Sequence, residues 1–154
     1  MRHVMTRFVT GLSFLLALLV VSAAPAAAQN AGVRGGISVD PDQFYFGGHI
    51  ETSALIDRVH FRPNVEIGFG EDIMLIGANM EFVYRFPETS GWNLYAGGGP
   101  ALNVYTFDDA DESATEGGVN ILIGAEQSRG LFFEFKIGML DSPDFKFGVG
   151  WSFK

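Results

Sequence analysis

The 154-residue sequence contains no cysteine, so it can form neither a disulfide framework nor a zinc–thiolate site. Lipid attachment at an N-terminal cysteine is excluded for the same reason. Basic residues are also scarce, with 10 lysines and arginines against 18 aspartates and glutamates, and so acidic a chain binds nucleic acid poorly. Glycine is abundant at 20 residues, which disfavours a helical bundle, and 47% hydrophobic residues disfavour disorder.

The N-terminal segment has the composition of an export signal. Two arginines precede an apolar run at residues 8–21, and Ala26 and Ala28 have the spacing of small residues at a cleavage site. The run is shorter than the roughly 20 residues that a membrane-spanning helix requires. We therefore predict a signal peptide at 1–28 and one domain at 29–154. Removing 28 of the 154 residues leaves 126, and losing two arginines changes the net charge from −8 to −10.

Apolar and polar residues alternate with period two after the signal, and no period of 3.6 persists. Such alternation is typical of strands with two chemically different faces. Turn-forming residues such as Asp40-Pro41-Asp42 and Asp141-Ser142-Pro143 separate the alternating segments. The pattern predicts eight strands, at 31–39, 43–54, 59–69, 73–86, 92–107, 117–126, 131–140 and 144–153.

The polar face of these strands carries five positive and five negative side chains. Alternation alone fits a soluble barrel with its apolar face inside, and equally a membrane barrel with its apolar face toward lipid. A closed interior requires charge balance because an unpaired buried charge is costly, whereas a solvated face does not. The balance therefore favours a transmembrane barrel with an ion-pair network in its lumen. That network comprises Arg34, Glu51, Arg62, Glu66, Glu81, Arg85, Glu126, Glu134, Lys136 and Lys146.

The expected turns predict a specific pairing within this network. A turn at Ile56-Asp57 places Glu51 opposite Arg62, and a turn at Glu71-Asp72 places Arg62 opposite Glu81. We therefore expect a row of alternating charges, Glu51–Arg62–Glu81, across three neighbouring strands.

The predicted turns differ in charge between the two ends of the barrel. The end with the C-terminus has two acids and three bases, whereas the end with the first hairpin turn has no lysine or arginine. Different surroundings at the two ends, as across a membrane, account for this asymmetry. The eleven acids of the second end are Asp40, Asp42, Glu71, Asp72, Asp108, Asp109, Asp111, Glu112, Glu116, Asp141 and Asp144.

Three segments resemble the small outer-membrane β-barrels of the OmpA, OmpX and opacity type. They are KFGVGWSF at 146–153, WNLYAGGGPALNVY at 92–105 and FRPNVEIGFG at 61–70. The first resembles the C-terminal signal that the barrel-assembly machinery reads, although Lys154 follows the aromatic residue on which the family usually ends. The residues that carry this signal are Lys146, Gly148, Trp151 and Phe153.

The resemblance covers about the whole mature chain and implies a fold and a location. The implied fold is all-β, an eight-stranded antiparallel up-and-down transmembrane barrel. The implied location is the bacterial outer membrane, with both termini in the periplasm. It implies no single function, because adhesins, lipid-modifying enzymes and structural proteins all occur in the family.

Few residues offer catalytic or metal-binding chemistry. Ser53 lies near His60 in the expected register, and His49 is on the adjacent strand, but no oxyanion-stabilising device accompanies them. We expect histidines that simply fill the lumen, and no catalytic residue, metal or cofactor. The acidic loop at 108–116 lacks the spacing and glycine of an EF-hand loop, so we expect it to be solvated. Weak divalent-cation binding, bridging to outer-leaflet phosphates, is the alternative for that loop.

The sequence thus predicts a monomeric outer-membrane barrel with a structural or surface-interaction role and no enzyme activity. An open pore is not expected, because an eight-stranded barrel is just wide enough for its side chains to fill it. The expected partners are outer-membrane lipid, lipopolysaccharide and the barrel-assembly machinery, and not nucleic acid. Two alternatives are a soluble, lipocalin-like periplasmic carrier of a small apolar ligand and a lipid-modifying outer-membrane enzyme.

Overall fold

A computed structural model describes residues 28–108 and 112–154, which form a closed barrel of eight antiparallel strands. Each strand pairs with its neighbours along the chain, and the first pairs with the last, so the predicted fold class is confirmed. The strands are β1 (Ala28–Val39), β2 (Gln43–Thr52), β3 (Val59–Gly70), β4 (Ile73–Arg85), β5 (Trp92–Phe107), β6 (Glu112–Gln127), β7 (Leu131–Leu140) and β8 (Phe145–Phe153).

The predicted signal peptide at 1–28 lies outside the described residues except for Ala28. Within the described ranges, no helix is long and apolar enough to cross a membrane.

The predicted strands agree with the structure to within about three residues, except at β6. This strand begins at Glu112 and not at residue 117, and its first five residues pair with Asn103–Phe107 of β5. The prediction of a loop over 108–116 is therefore wrong, since only 108–111 separate the two strands. Both faces of β6 are largely exposed here, so the sequence carries no alternation that would mark a strand.

Two prolines interrupt the hydrogen-bonded ladders without changing the register. The ladder between β2 and β3 ends at the His49–Asn64 pair, next to Pro63. The ladder between β4 and β5 is broken beside Pro100 and resumes in the same register at Phe82–Gly98. Proline has no N–H to donate, so a local gap at each position is expected.

The barrel has its apolar residues outside and its charged residues inside. Phe44 and Ile123 on the outer surface are 75% and 59% exposed, whereas Arg62 and Glu81 inside are completely buried. Aromatic pairs contact each other across neighbouring strands of the outer surface, as Phe61 and Phe82 do with ring centroids 5.1 Å apart. This arrangement reverses that of a soluble protein, which buries its apolar side chains.

Candidate functional site

The barrel interior contains all ten charged residues that the alternation places on the polar face. Nine of them are buried, and Arg85 is half-buried near the end that holds the termini. Each lies at an inward position because successive strand residues point to opposite faces. The side chains of the ten residues form three connected groups along the barrel axis.

Glu134 of β7 is the centre of the first group. Its Oε1 accepts a hydrogen bond from Arg34 Nη1 at 2.9 Å, and its Oε2 accepts hydrogen bonds from Arg62 Nη2 and from the Tyr95 hydroxyl, the latter at 2.8 Å. The Arg62 guanidinium also lies over the Tyr95 ring, 4.6 Å from its centroid. One carboxylate thus compensates two buried arginines, and an aromatic ring supports one of them.

The second group lies nearer the acidic end and contains two lysines. Lys136 Nζ lies 2.6 Å from Glu81 Oε1 and 3.2 Å from Glu66 Oε1. Lys146 Nζ lies 2.6 Å from Glu66 Oε2. Glu66 therefore joins β7 and β8 through two ammonium groups.

The third group lies near the termini. Arg85 binds Glu51 through two hydrogen bonds, from Nε at 2.6 Å and from Nη2 at 2.7 Å. Glu126 accepts hydrogen bonds from Arg85 Nη2 at 3.3 Å and from the Ser152 hydroxyl at 3.0 Å. Its other oxygen lies 3.0 Å from Lys154 Nζ, so the last residue of the chain also joins the network.

The expected row Glu51–Arg62–Glu81 needs a correction. Arg62 and Glu81 are opposite each other in the β3–β4 register, but Glu81 pairs with Lys136. Arg62 pairs with Glu134, and Glu51 lies 3.9 Å from Arg62 Nη1. The lumen of an eight-stranded barrel is so narrow that long side chains meet across it as readily as along the sheet.

A chain of amide side chains extends the second group. Asn64 Nδ2 donates to Glu81 Oε2 at 2.9 Å, and Asn79 Nδ2 donates to Asn64 Oδ1 at 2.8 Å. Asn120 Nδ2 donates in turn to Asn79 Oδ1 at 2.8 Å. The alternation places these residues inside, but their order of donation depends on the three-dimensional positions of three strands.

Large aromatic side chains inside the barrel lie against glycines of facing strands. Tyr95 occupies the space where a side chain at position 124 would begin, and Phe132 does the same at position 150. Phe132 is completely buried although its neighbours in β7 make it one of three consecutive apolar residues. Sequence reasoning missed Phe132, and the inward glycine Gly150 of the adjacent strand is the signal that indicates it.

The turn between β7 and β8 folds across the mouth of the barrel at the acidic end. The Asp141 carbonyl accepts hydrogen bonds from Asn103 Nδ2 at 3.0 Å and from the Tyr105 hydroxyl at 2.6 Å. Ser142 and Pro143 are buried as a result. The turn chemistry predicts a turn here, but not its inward direction.

The histidines do not form the contact with serine that the expected register suggests. His60 Nδ1 lies 2.9 Å from the Thr52 carbonyl oxygen. His49 Nε2 lies 3.4 Å from the hydroxyl of Ser152, which donates its hydrogen bond to Glu126. In the described part of the chain, no hydrogen bond joins Ser53 to either ring.

The acidic loop and the C-terminal segment complete the predicted residues. Within residues 28–108 and 112–154, no group of three or more acidic or histidine side chains is arranged to hold a metal. Asp109 and Asp111 of the predicted loop lie outside the described residues. In β8, Lys146 and Gly148 point inward, whereas Trp151 and Phe153 are exposed on the outer surface.

A closed eight-stranded barrel with an apolar outside and a charged inside is the architecture of small outer-membrane barrels, and two crystal structures of such barrels share this fold. The Neisserial surface protein A superposes with a TM-score of 0.65 and 14% identity, over 81% of this chain and 94% of that one. The N-terminal β-barrel domain of Pseudomonas aeruginosa OprF superposes with a TM-score of 0.59 and 17% identity, over 82% of this chain and 99% of that one. No family model and no curated protein sequence matches the chain. The resemblance to OmpA-type barrels is confirmed at the level of the fold.

Proposed function

We propose that the protein is a bacterial outer-membrane barrel with a structural or surface-interaction role and a lumen that its own side chains close. The observation that carries this proposal is the inverted polarity. An outer surface rich in exposed phenylalanine, leucine and isoleucine is unstable in water but is matched to hydrocarbon. The fold shared with two barrels from outer-membrane proteins supports the same environment.

The side-chain contacts support a closed lumen. Arg34, Arg62 and Glu134 meet in the middle of the barrel with almost no exposure to solvent. The β7–β8 turn covers the mouth at the acidic end through its contacts with Asn103 and Tyr105. A solute would have to break several buried ion pairs to pass, so transport is not the role that we assign.

The interior chemistry counts against the two alternative functions. A carrier of a small apolar ligand needs an apolar cavity, whereas this lumen is lined by charged and amide side chains. A lipid-modifying enzyme needs a nucleophile paired with a base. Ser152 donates its hydrogen bond to Glu126 and not to His49, which makes it a poor candidate nucleophile.

The partners that we propose follow from the surface. Outer-membrane lipid and lipopolysaccharide contact the apolar belt, and the acidic end faces the outside of the cell. The barrel-assembly machinery recognises β8 through Lys146, Gly148, Trp151 and Phe153. The protein functions as a monomer after signal cleavage near Ala28.

Membrane fractionation with gel migration of boiled and unboiled samples tests the proposed location. We expect recovery in the outer-membrane fraction and a mobility that changes on boiling, because a closed barrel resists detergent until it is heated. Recovery in the soluble periplasm would overturn the proposal.

Conductance in planar lipid bilayers tests the closed lumen. We expect no stable open-channel current from the folded protein, with an established porin as the positive control. Long-lived single-channel openings by the wild-type barrel would contradict a lumen closed by ion pairs.

A further inference from the structure

The β5–β6 hairpin leaves one edge of the sheet without a partner. β6 pairs with β5 along its whole length, but its pairing with β7 begins only at Gly118, opposite Leu140. The segment Glu112–Gly117, which we call the β6 edge, therefore has a strand on one side only. The β7–β8 turn does not cover this edge, because it folds inward to Asn103 and Tyr105.

The register shows which main-chain groups the β6 edge presents. The Ser128 N–H donates to the Gly91 carbonyl in line with the β5–β6 ladder, so even-numbered residues of β6 hydrogen-bond to β5. The odd-numbered residues Ser113, Thr115 and Gly117 direct their N–H and C=O groups to the open side. An extended peptide that adds to a sheet uses an edge of this kind.

The surroundings of the β6 edge indicate the chemistry of its partner. This end of the barrel has eleven acids and no lysine or arginine, and Glu112 and Glu116 belong to the edge itself. A second copy of this chain would bring two such acidic ends together, which like-charge repulsion disfavours. A cationic peptide gains attraction from the same charges.

A leucine at the base of the β6 edge adds an apolar contact. Leu140, the last residue of β7, is 80% exposed. Its φ of 61° is in the left-handed region, which turns the chain away from β6 and ends the pairing. Leu140 is thus available to an apolar side chain of a peptide that continues the sheet.

We propose that the β6 edge binds an extended cationic peptide segment, which adds to the sheet as a strand beside Ser113, Thr115 and Gly117. The main chain supplies the hydrogen bonds, the acidic end attracts the basic side chains, and Leu140 accepts an apolar residue. The inference extends the surface-interaction role. It rests on the proposed function only for the partner being outside the cell.

Binding of designed peptides to the folded barrel in lipid nanodiscs tests this proposal. The probe is an eight-residue peptide of alternating lysine and threonine, and the controls are its glutamate-for-lysine counterpart and an N-methylated version of equal charge. We expect the probe to protect the amides of Ser113, Thr115 and Gly117 from hydrogen exchange. We expect the N-methylated peptide to bind at least about tenfold more weakly, because it cannot complete the ladder.

A pair of variants at one position provides a matched test on the protein side. Thr115→Pro removes an N–H on the open side and leaves the β5 pairing intact, so we expect at least about a tenfold loss of affinity. Thr115→Val keeps the N–H and should bind as the wild type does. The boiling-dependent gel shift of each variant reports its folding, so failure to form a barrel is distinguishable from failure to bind.

Three results would overturn the proposal. One is equal affinity for the lysine peptide and its N-methylated form, which would indicate attraction by charge alone. Another is protection confined to residues outside the β6 edge. The third is a dimer that protects these amides without peptide, which would assign the edge to a second copy.

Discussion

Glu134 has the most contacts of any interior carboxylate, and its position explains why single charged residues matter in this barrel. It accepts hydrogen bonds from Arg34, Arg62 and Tyr95, all of which are buried. A buried charge that loses its partner retains its desolvation cost without compensation. Removing one member of this group therefore affects the others.

The variant Arg62→Ala tests this dependence. Without Arg62, Glu134 loses one of its two closest cations, and we expect a loss of about 3–5 kcal/mol in the free energy of unfolding. Urea unfolding in lipid vesicles provides the measurement, and Arg58→Ala in the exposed β2–β3 turn is the control. Unchanged stability of Arg62→Ala would show that water reaches this group.

The glycines beneath the inward aromatics give a second test at single positions. A side chain at Gly124 would collide with the Tyr95 ring and move its hydroxyl away from Glu134. We expect Gly124→Val to cost about 1–3 kcal/mol in the free energy of unfolding. Gly117→Val is the matched control in the same strand, since a Cβ added there would have no atom within 4 Å. Equal stabilities of the two variants would contradict the packing described here.

Among the elements, the strands were predictable and their cross-lumen contacts were not. Alternation places residues such as Glu81 and Lys136 on the inner face, because strand geometry alone determines the face. The partner of each charge depends on which side chains meet across the lumen, and a local sequence pattern carries no such information. For the same reason the prediction paired Arg62 with Glu81, its neighbour along the sheet, and missed Glu134.

Two elements depart from the predicted pattern for physical reasons. The first part of β6 has two largely exposed faces, so nothing selects for alternating residues there. The β7–β8 turn has the composition of an ordinary surface turn, yet it bends into the barrel mouth, where Asn103 and Tyr105 bind its carbonyl. Its direction depends on residues nearly 40 positions earlier in the chain.

The variant Tyr105→Phe tests the closure by this turn. It removes the hydrogen bond to Asp141, which is worth about 1 kcal/mol. We expect roughly fivefold faster hydrogen exchange at residues 141–144, with the barrel strands unaffected. Tyr84→Phe on the outer surface is the control. Unchanged exchange in the turn would mean that Tyr105 does not hold it in place.

The whole molecule is organised by two contrasts, apolar outside against charged inside, and an acidic end against a nearly neutral one. The first contrast suits a chain surrounded by lipid, because the ion pairs then need no water and the apolar surface needs no protein partner. The second gives the barrel a direction, with the acids at the end opposite the termini. Both contrasts were readable from the sequence, since they depend on composition by face and by end rather than on individual contacts.

Tryptophan quenching by brominated lipid tests the inside-out arrangement most directly. The chain has two tryptophans, Trp92 and Trp151, and replacing both by phenylalanine gives a silent background. Phe132→Trp and Phe133→Trp then place one reporter inside and one outside at adjacent positions of β7. We expect bromine on the acyl chains to quench the fluorescence of the variant at position 133 strongly and that of the variant at position 132 hardly at all. Strong quenching at 132 with none at 133 would contradict a barrel that keeps its charges inside and its apolar face in lipid.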